Sequence, residues 1–127
     1  MPSARHPTRS PALFVVCGML VVAVIYLSLS TTVIAFPWDP GGKYAHVAAY
    51  AVVMFFFAYA YRAARAAVLV AAALLALGIG LEYVQAYSGY RTFERTDMVA
   101  DAVGIGLGWL LGFWVIRLFF NRSGDAA

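Results

Sequence analysis

Residues 81–104 read LEYVQAYSGYRTFERTDMVADAVG, and long apolar runs lie on both sides of them. The stretch gathers several carboxylates, two arginines and a glutamine in a chain with only 12% charged residues. Isolating that polarity between two apolar runs is the pattern of a chain that crosses a lipid phase and keeps its polar groups at one level.

The composition agrees. Of 127 residues, 64% are hydrophobic, against roughly 45–50% in soluble domains, and the mean hydropathy is +0.81. The length fits a single domain over residues 1–127. The one cysteine, Cys17, lies inside an apolar run, which excludes a disulfide framework and a cysteine-based metal motif. A net charge of +3, with arginines scattered at segment ends, argues for membrane topology and against nucleic-acid binding.

Four apolar segments can be marked, at about residues 12–36, 43–61, 66–87 and 97–120. Each is long enough for the roughly 20 residues that cross a hydrocarbon core. Pro37, Pro40 and the Gly41-Gly42 pair break the chain after the first segment. The joint from Arg62 to Arg65 is very short and demands a tight antiparallel hairpin. The expected fold is an all-α membrane protein, with four transmembrane helices in a compact antiparallel bundle. The first segment reads as a retained anchor, because its apolar run far exceeds the 7–15 residues of a signal-peptide core. The sequence around Cys17 also makes a poor lipoprotein box.

With four alternating helices, Arg5 and Arg9, Arg62 and Arg65, and Arg117 and Arg122 fall on one side. The positive-inside rule makes that side cytoplasmic. Both termini are then cytoplasmic, and loops 37–42 and 88–96 face outward from a plasma or inner membrane. Arg91 and Arg95 in the second loop dilute the bias.

Polar residues recur at helical spacing. Lys43, His46 and Tyr50 share one face of the second segment, Glu82 and Gln85 one face of the third, and Asp97 and Asp101 one face of the fourth. His46, Glu82 and Asp101 lie roughly 4–8 Å inside the segment ends at 1.5 Å per residue. Three helices thus bring polar stripes to one depth on one side of the membrane. Extending the aspartate face of the fourth segment gives Gly104, Gly108 and Gly112, a small-residue seam that lets helices approach closely. Gly78, one turn before Glu82, is read as a packing position of the third segment.

Each residue also has a plainer reading. Asp97 after Thr96 can serve as a helix cap, and Lys43 as an interfacial anchor. Tyr50, Tyr83, Tyr87 and Tyr90 fit an aromatic belt. Glu82 and Arg91 can form a structural ion pair. Carboxylates inside a spanning helix are nevertheless expensive enough that a functional site is the default reading.

The pattern resembles the VanZ-like family of membrane proteins, named for a teicoplanin-resistance protein. The resemblance rests on Lys43-x-x-His46 with Tyr50, Glu82-x-x-Gln85, Arg91-x-Phe93 leading to Asp97, and the Gly104 and Gly108 run, across residues 27–113. Two positions depart from it: Gly42 stands where the family commonly has Asp, and Asp101 where it commonly has Asn. The resemblance implies a small polytopic membrane protein linked to lowered susceptibility to teicoplanin-type antibiotics.

Three activities fit the cluster, and no catalytic residue can be assigned among its members. One is binding of an anionic lipid headgroup or a lipid-linked cell-wall intermediate by Lys43, Arg91, Arg95 and helix N-termini. A second is a membrane enzyme, with His46 as general base or metal ligand beside Glu82, Asp97 and Asp101. A single histidine and the lack of a recognisable nucleophile around Ser88 count against it. The third is a small multidrug transporter, disfavoured because the first segment carries no charge. Binding ranks first. No cofactor and no metal site is expected, and the bilayer and its anionic lipids are the partners.

Overall fold

A computed structural model describes residues 10–30, 37–39, 41–61, 63–89 and 91–124, with side chains as far as residue 119. It contains α1 (Pro11–Leu29), α2 (Lys43–Ala60), α3 (Ala64–Tyr87) and α4 (Arg95–Gly124). All four are long and apolar enough to cross a membrane, and no strand occurs among the described residues. At 1.5 Å per residue, the 18 residues of α2 span about 27 Å, close to the roughly 30 Å of a hydrocarbon core.

α1 is shorter than the apolar segment that contains it. The segment runs to Phe36, but the helix stops at Leu29, and Ser30 is extended at φ −69°, ψ 137°. From Ser28 onward the sequence is rich in serine and threonine. Their hydroxyls compete for backbone hydrogen bonds, and β-branching adds a loss of rotamer freedom. Residues 31–36 lie outside the described residues. At the other end of the chain, α4 begins two residues before Asp97 and continues to Gly124.

Two glycines set the entry to α2. Gly41 and Gly42 have φ of +87° and +70°, left-handed values that glycine adopts without a Cβ penalty. They turn the chain so that Asp39 folds back over the new helix. Its Oδ1 accepts the Tyr44 N–H at 3.1 Å and its Oδ2 the Ala45 N–H at 3.0 Å. Two of the four orphan donors at that helix start are thereby satisfied.

Consecutive helices are antiparallel, as the ring contact at 5.2 Å between Phe14 of α1 and Tyr61 just beyond α2 illustrates. The tightest seam joins α2 to α4, which run parallel. The three seam glycines of α4 meet α2 in order: Gly104 at Val47, Gly108 at Ala51, Gly112 at Phe55 and Ala58. A Cβ on Gly104 would stand 2.5 Å from the Val47 carbonyl oxygen, and one on Gly112 2.8 Å from the Ala58 Cβ. Without a hydrophobic force between helices in lipid, such close backbone approach is what holds them together.

Around this seam Val24, Val53, Met54, Leu74, Leu81 and Ile105 form the apolar core. Large side chains such as Met19, Tyr26, Leu69 and Leu110 point outward, as in a protein whose solvent is hydrocarbon. α1 is the most weakly held helix, with only Cys17 and Val24 buried.

Candidate functional site

The register that seats the glycines also pairs the polar residues. One turn and more above Gly104, the same faces of α2 and α4 bring His46 to Asp101 and Lys43 to Asp97. His46 Nδ1 lies 2.8 Å from Asp101 Oδ1, and with Asp101 ionised the ring donates from Nδ1 to the carboxylate. Lys43 Nζ donates to Asp97 Oδ1 and also to Glu94 Oε2 in the preceding loop. Asp97 and Asp101 are only 2% and 3% exposed. The α2–α4 seam is therefore one continuous ladder, ionic at one end and glycine-packed below.

The α3 wall makes room for this ladder. A Cβ on Gly78 would lie 2.5 Å from Asp101 Oδ2 and 3.1 Å from the Tyr50 hydroxyl. Gly78 thus clears space for two polar side chains, a different duty from the helix-to-helix approach made by the α4 glycines. Tyr50 is 3% exposed and belongs to the interior. Tyr83 and Tyr87 are exposed, as aromatic-belt residues are, and Tyr90 lies outside the described residues.

Glu82 and Gln85 perform a separate task. Glu82 Oε1 accepts the backbone N–H of Glu94 at 2.7 Å, fixing the loop just before α4. Gln85 Nε2 donates to the Ser28 carbonyl at 2.5 Å, in the last turn of α1 where carbonyls lose their intrahelical partners. A ring contact at 5.1 Å between Tyr83 and Phe93 presses the same loop on α3. With Asp39, these two buried side chains satisfy backbone groups around three helix ends, and they are the frame of the site.

Arg91 does not meet Glu82. Its Nη2 is 3.8 Å from Asp97 Oδ2, on the opposite oxygen from Lys43. That is too long for a hydrogen bond but close enough for charge attraction. His46 Nε2 approaches the same Oδ2 at 4.0 Å. Asp97 sits in the first turn of α4, where a negative charge suits the helix dipole. It is the convergence point of the cluster, with the Lys43 and Arg91 side chains each 30% exposed above it. Arg95 is exposed on the same turn.

Two members of the network were absent from the residues singled out in the sequence, Asp39 and Glu94. Glu94 lies outside the helices with a half-exposed side chain, and Lys43 holds its carboxyl below the usual range. Counting Lys43, Arg91 and Arg95 against Glu82, Glu94, Asp97 and Asp101 leaves one net negative charge with His46 neutral. The cluster therefore carries no surplus of positive charge, and each of its paired cations already faces a carboxylate. Among the described residues no three His, Cys, Asp or Glu side chains are arranged to hold a metal ion.

Four spanning helices closed around a buried ionic ladder define a multi-pass membrane protein with a polar site at one end of its bundle. A family model described as VanZ/LLP1 matches residues 17–119. The chain belongs to the VanZ-like family. No curated protein and no solved structure matches it.

Proposed function

We propose that the site binds the phosphate-bearing headgroup of a membrane lipid or lipid-linked cell-wall intermediate at the outer face of the plasma or inner membrane. Occupancy of that site lowers susceptibility to teicoplanin-type antibiotics, the trait linked to the family. The observation that carries the reading is the convergence of Lys43 and Arg91, both partly exposed, on the single buried Asp97. Both cations lean on one deep carboxylate, and the second partner of Lys43, Glu94, is half-exposed and outside the helices. An anion arriving from the headgroup region therefore meets two partly exposed cations. Arginine's planar fork suits phosphate oxygens in particular.

Binding of dihexanoyl phosphatidylglycerol to the protein in phosphatidylcholine nanodiscs tests the reading. Arg91→Gln is expected to weaken binding about tenfold or more, since hydrogen bonds to charged groups contribute about 1.5–3 kcal/mol. Its melting temperature should stay near the parent's, because a partly exposed pair at 3.8 Å contributes little. Equal binding by both chains overturns the proposal.

The outward placement has its own test. In a Cys17→Ala background, cysteines at Pro37 and Ser88 are expected to react with an impermeant maleimide added to intact cells, and one at Ala64 is not. The arginines at positions 62, 65, 117 and 122 motivate this orientation. Labelling at Ala64 alone puts the site on the cytoplasmic face.

A membrane enzyme is the second reading, favoured by one contact. Asp101 fixes the His46 ring through Nδ1, and Nε2 then faces the Asp97 end of the cluster. A carboxylate-oriented imidazole is the arrangement of a general base. Loss of function in His46→Gln with headgroup binding intact would favour turnover over binding.

A further inference from the structure

We infer that the Glu94 carboxylate occupies the subsite of the ligand's anionic group, on Lys43 and beside Arg91, and that binding exchanges it for a phosphate oxygen. The inference rests on the headgroup-binding reading and assigns the position and charge of what is bound.

Lys43 has two carboxylate partners of opposite character. Asp97 is fixed in the first turn of α4, and its side chain is 3% exposed. It cannot leave without opening the α2–α4 seam. Glu94 precedes the helix, and its side chain is 48% exposed. Its backbone is anchored separately, through the N–H donated to Glu82 Oε1 at 2.7 Å. Rotation of the Glu94 side chain toward solvent therefore releases Lys43 without moving the loop or uncapping α4. The remaining side-chain contact, from Thr96 Oγ1 at 3.5 Å, offers little resistance.

Electrostatics match the exchange. Lys43 keeps the Glu94 carboxyl below the usual carboxylate range, so at neutral pH the position already accommodates one negative charge. A phosphate diester brings the same charge, with oxygens able to reach Lys43 Nζ and the Arg91 guanidinium together. Lys43 keeps two anionic partners before and after the exchange, as a partly buried cation requires. Glu94 thus acts as a resident competitor, and the apparent affinity is reduced by the fraction of molecules in which it is seated.

The test compares the parent chain, Glu94→Gln and Glu94→Ala, each in phosphatidylcholine nanodiscs. Each is titrated with dihexanoyl phosphatidylglycerol and, separately, with its deacylated headgroup glycerophosphoglycerol, a soluble phosphate diester of the same single charge. Both variants keep the backbone N–H that Glu82 holds, and melting temperatures verify the fold. The expected result is roughly three- to tenfold tighter binding by both variants, the scale on which removing a competing state raises apparent affinity. A gain with both probes assigns the soluble phosphate diester as sufficient, and a gain with the lipid alone assigns the headgroup in its bilayer setting. Unchanged affinity in both variants, with the parent binding, overturns the subsite assignment and leaves the headgroup reading standing. Binding by none of the three chains overturns that reading, and the subsite falls with it.

Discussion

Gly108→Leu is expected to separate α2 from α4 and to leave little folded protein in detergent or membranes. A Cβ at position 108 would overlap the Ala51 carbonyl oxygen and lie 2.9 Å from the Ala51 carbonyl carbon. These are backbone atoms in the middle of a spanning helix, and they cannot rotate aside. Overpacking a well-filled site costs about 1–3 kcal/mol when side chains can adjust. Here the helices themselves must part, so the loss should exceed that range. Gly106→Leu is the control, since nothing lies within 4 Å of its Cβ position and it faces outward two residues earlier on the same helix. Thermal unfolding in detergent, followed by size-exclusion recovery, should show Gly106→Leu near the parent and Gly108→Leu collapsed. Equal behaviour of the two variants would mean that α4 is rotated relative to this packing.

The contrast between Gly106 and Gly108 also shows what the sequence makes legible. Spacing alone places Gly104, Gly108 and Gly112 on the face of Asp97 and Asp101, because a helix fixes the angular relation of its own residues. It does not say which helix that face meets. The partner is α2, two elements earlier in the chain, and the parallel register joining Val47 to Gly104 is a tertiary fact. Glu94 was illegible for the same reason: its partner Lys43 is 51 residues away, and within its own loop it looks like a solvated charge. Asp39 carried a faint signal, an acidic residue just before Pro-Gly-Gly and a helix start. Its carboxylate reaches back over the Gly41-Gly42 turn to the N-terminus of α2.

The polar residues divide in a way that spacing cannot reveal. Glu82 and Gln85 lie toward the same end of the bundle as His46 and Asp101 and carry equally polar groups. Yet one accepts a loop N–H and the other donates to the end of α1. In lipid an unsatisfied backbone group costs several kcal/mol, so helix ends that stop short of water need side-chain partners. α1 ends at Leu29, and Gln85 supplies a donor to the Ser28 carbonyl in its last turn. The ionic ladder is left to α2 and α4, where the same register that places glycine against backbone places lysine and histidine against aspartate.

The ladder's uppermost rung allows glue and function to be separated. Lys43→Gln leaves Asp97 as a buried carboxylate whose remaining cationic neighbours among the described residues are Arg91 at 3.8 Å and His46 at 4.0 Å. Removing one member of a buried pair costs about 3–5 kcal/mol. With the Lys43 side chain 30% exposed, water reaches the gap, and a loss of about 1–3 kcal/mol is expected. Asp97→Asn should be milder, because Lys43 keeps Glu94 and the solvent on its exposed side. In the double variant a neutral amide faces a neutral amide, the stranded charge is gone, and most of the lost stability should return. Such recovery in a double-mutant cycle marks two residues that act on each other. Headgroup binding and antibiotic tolerance should not return with it, since neither amide replaces the ammonium proposed to hold the anion. A double variant that regains stability, binding and tolerance together would reduce Lys43 and Asp97 to internal packing. Stability without binding would separate the ladder's two duties: holding α2 against α4, and keeping a cation ready at the surface of the bundle.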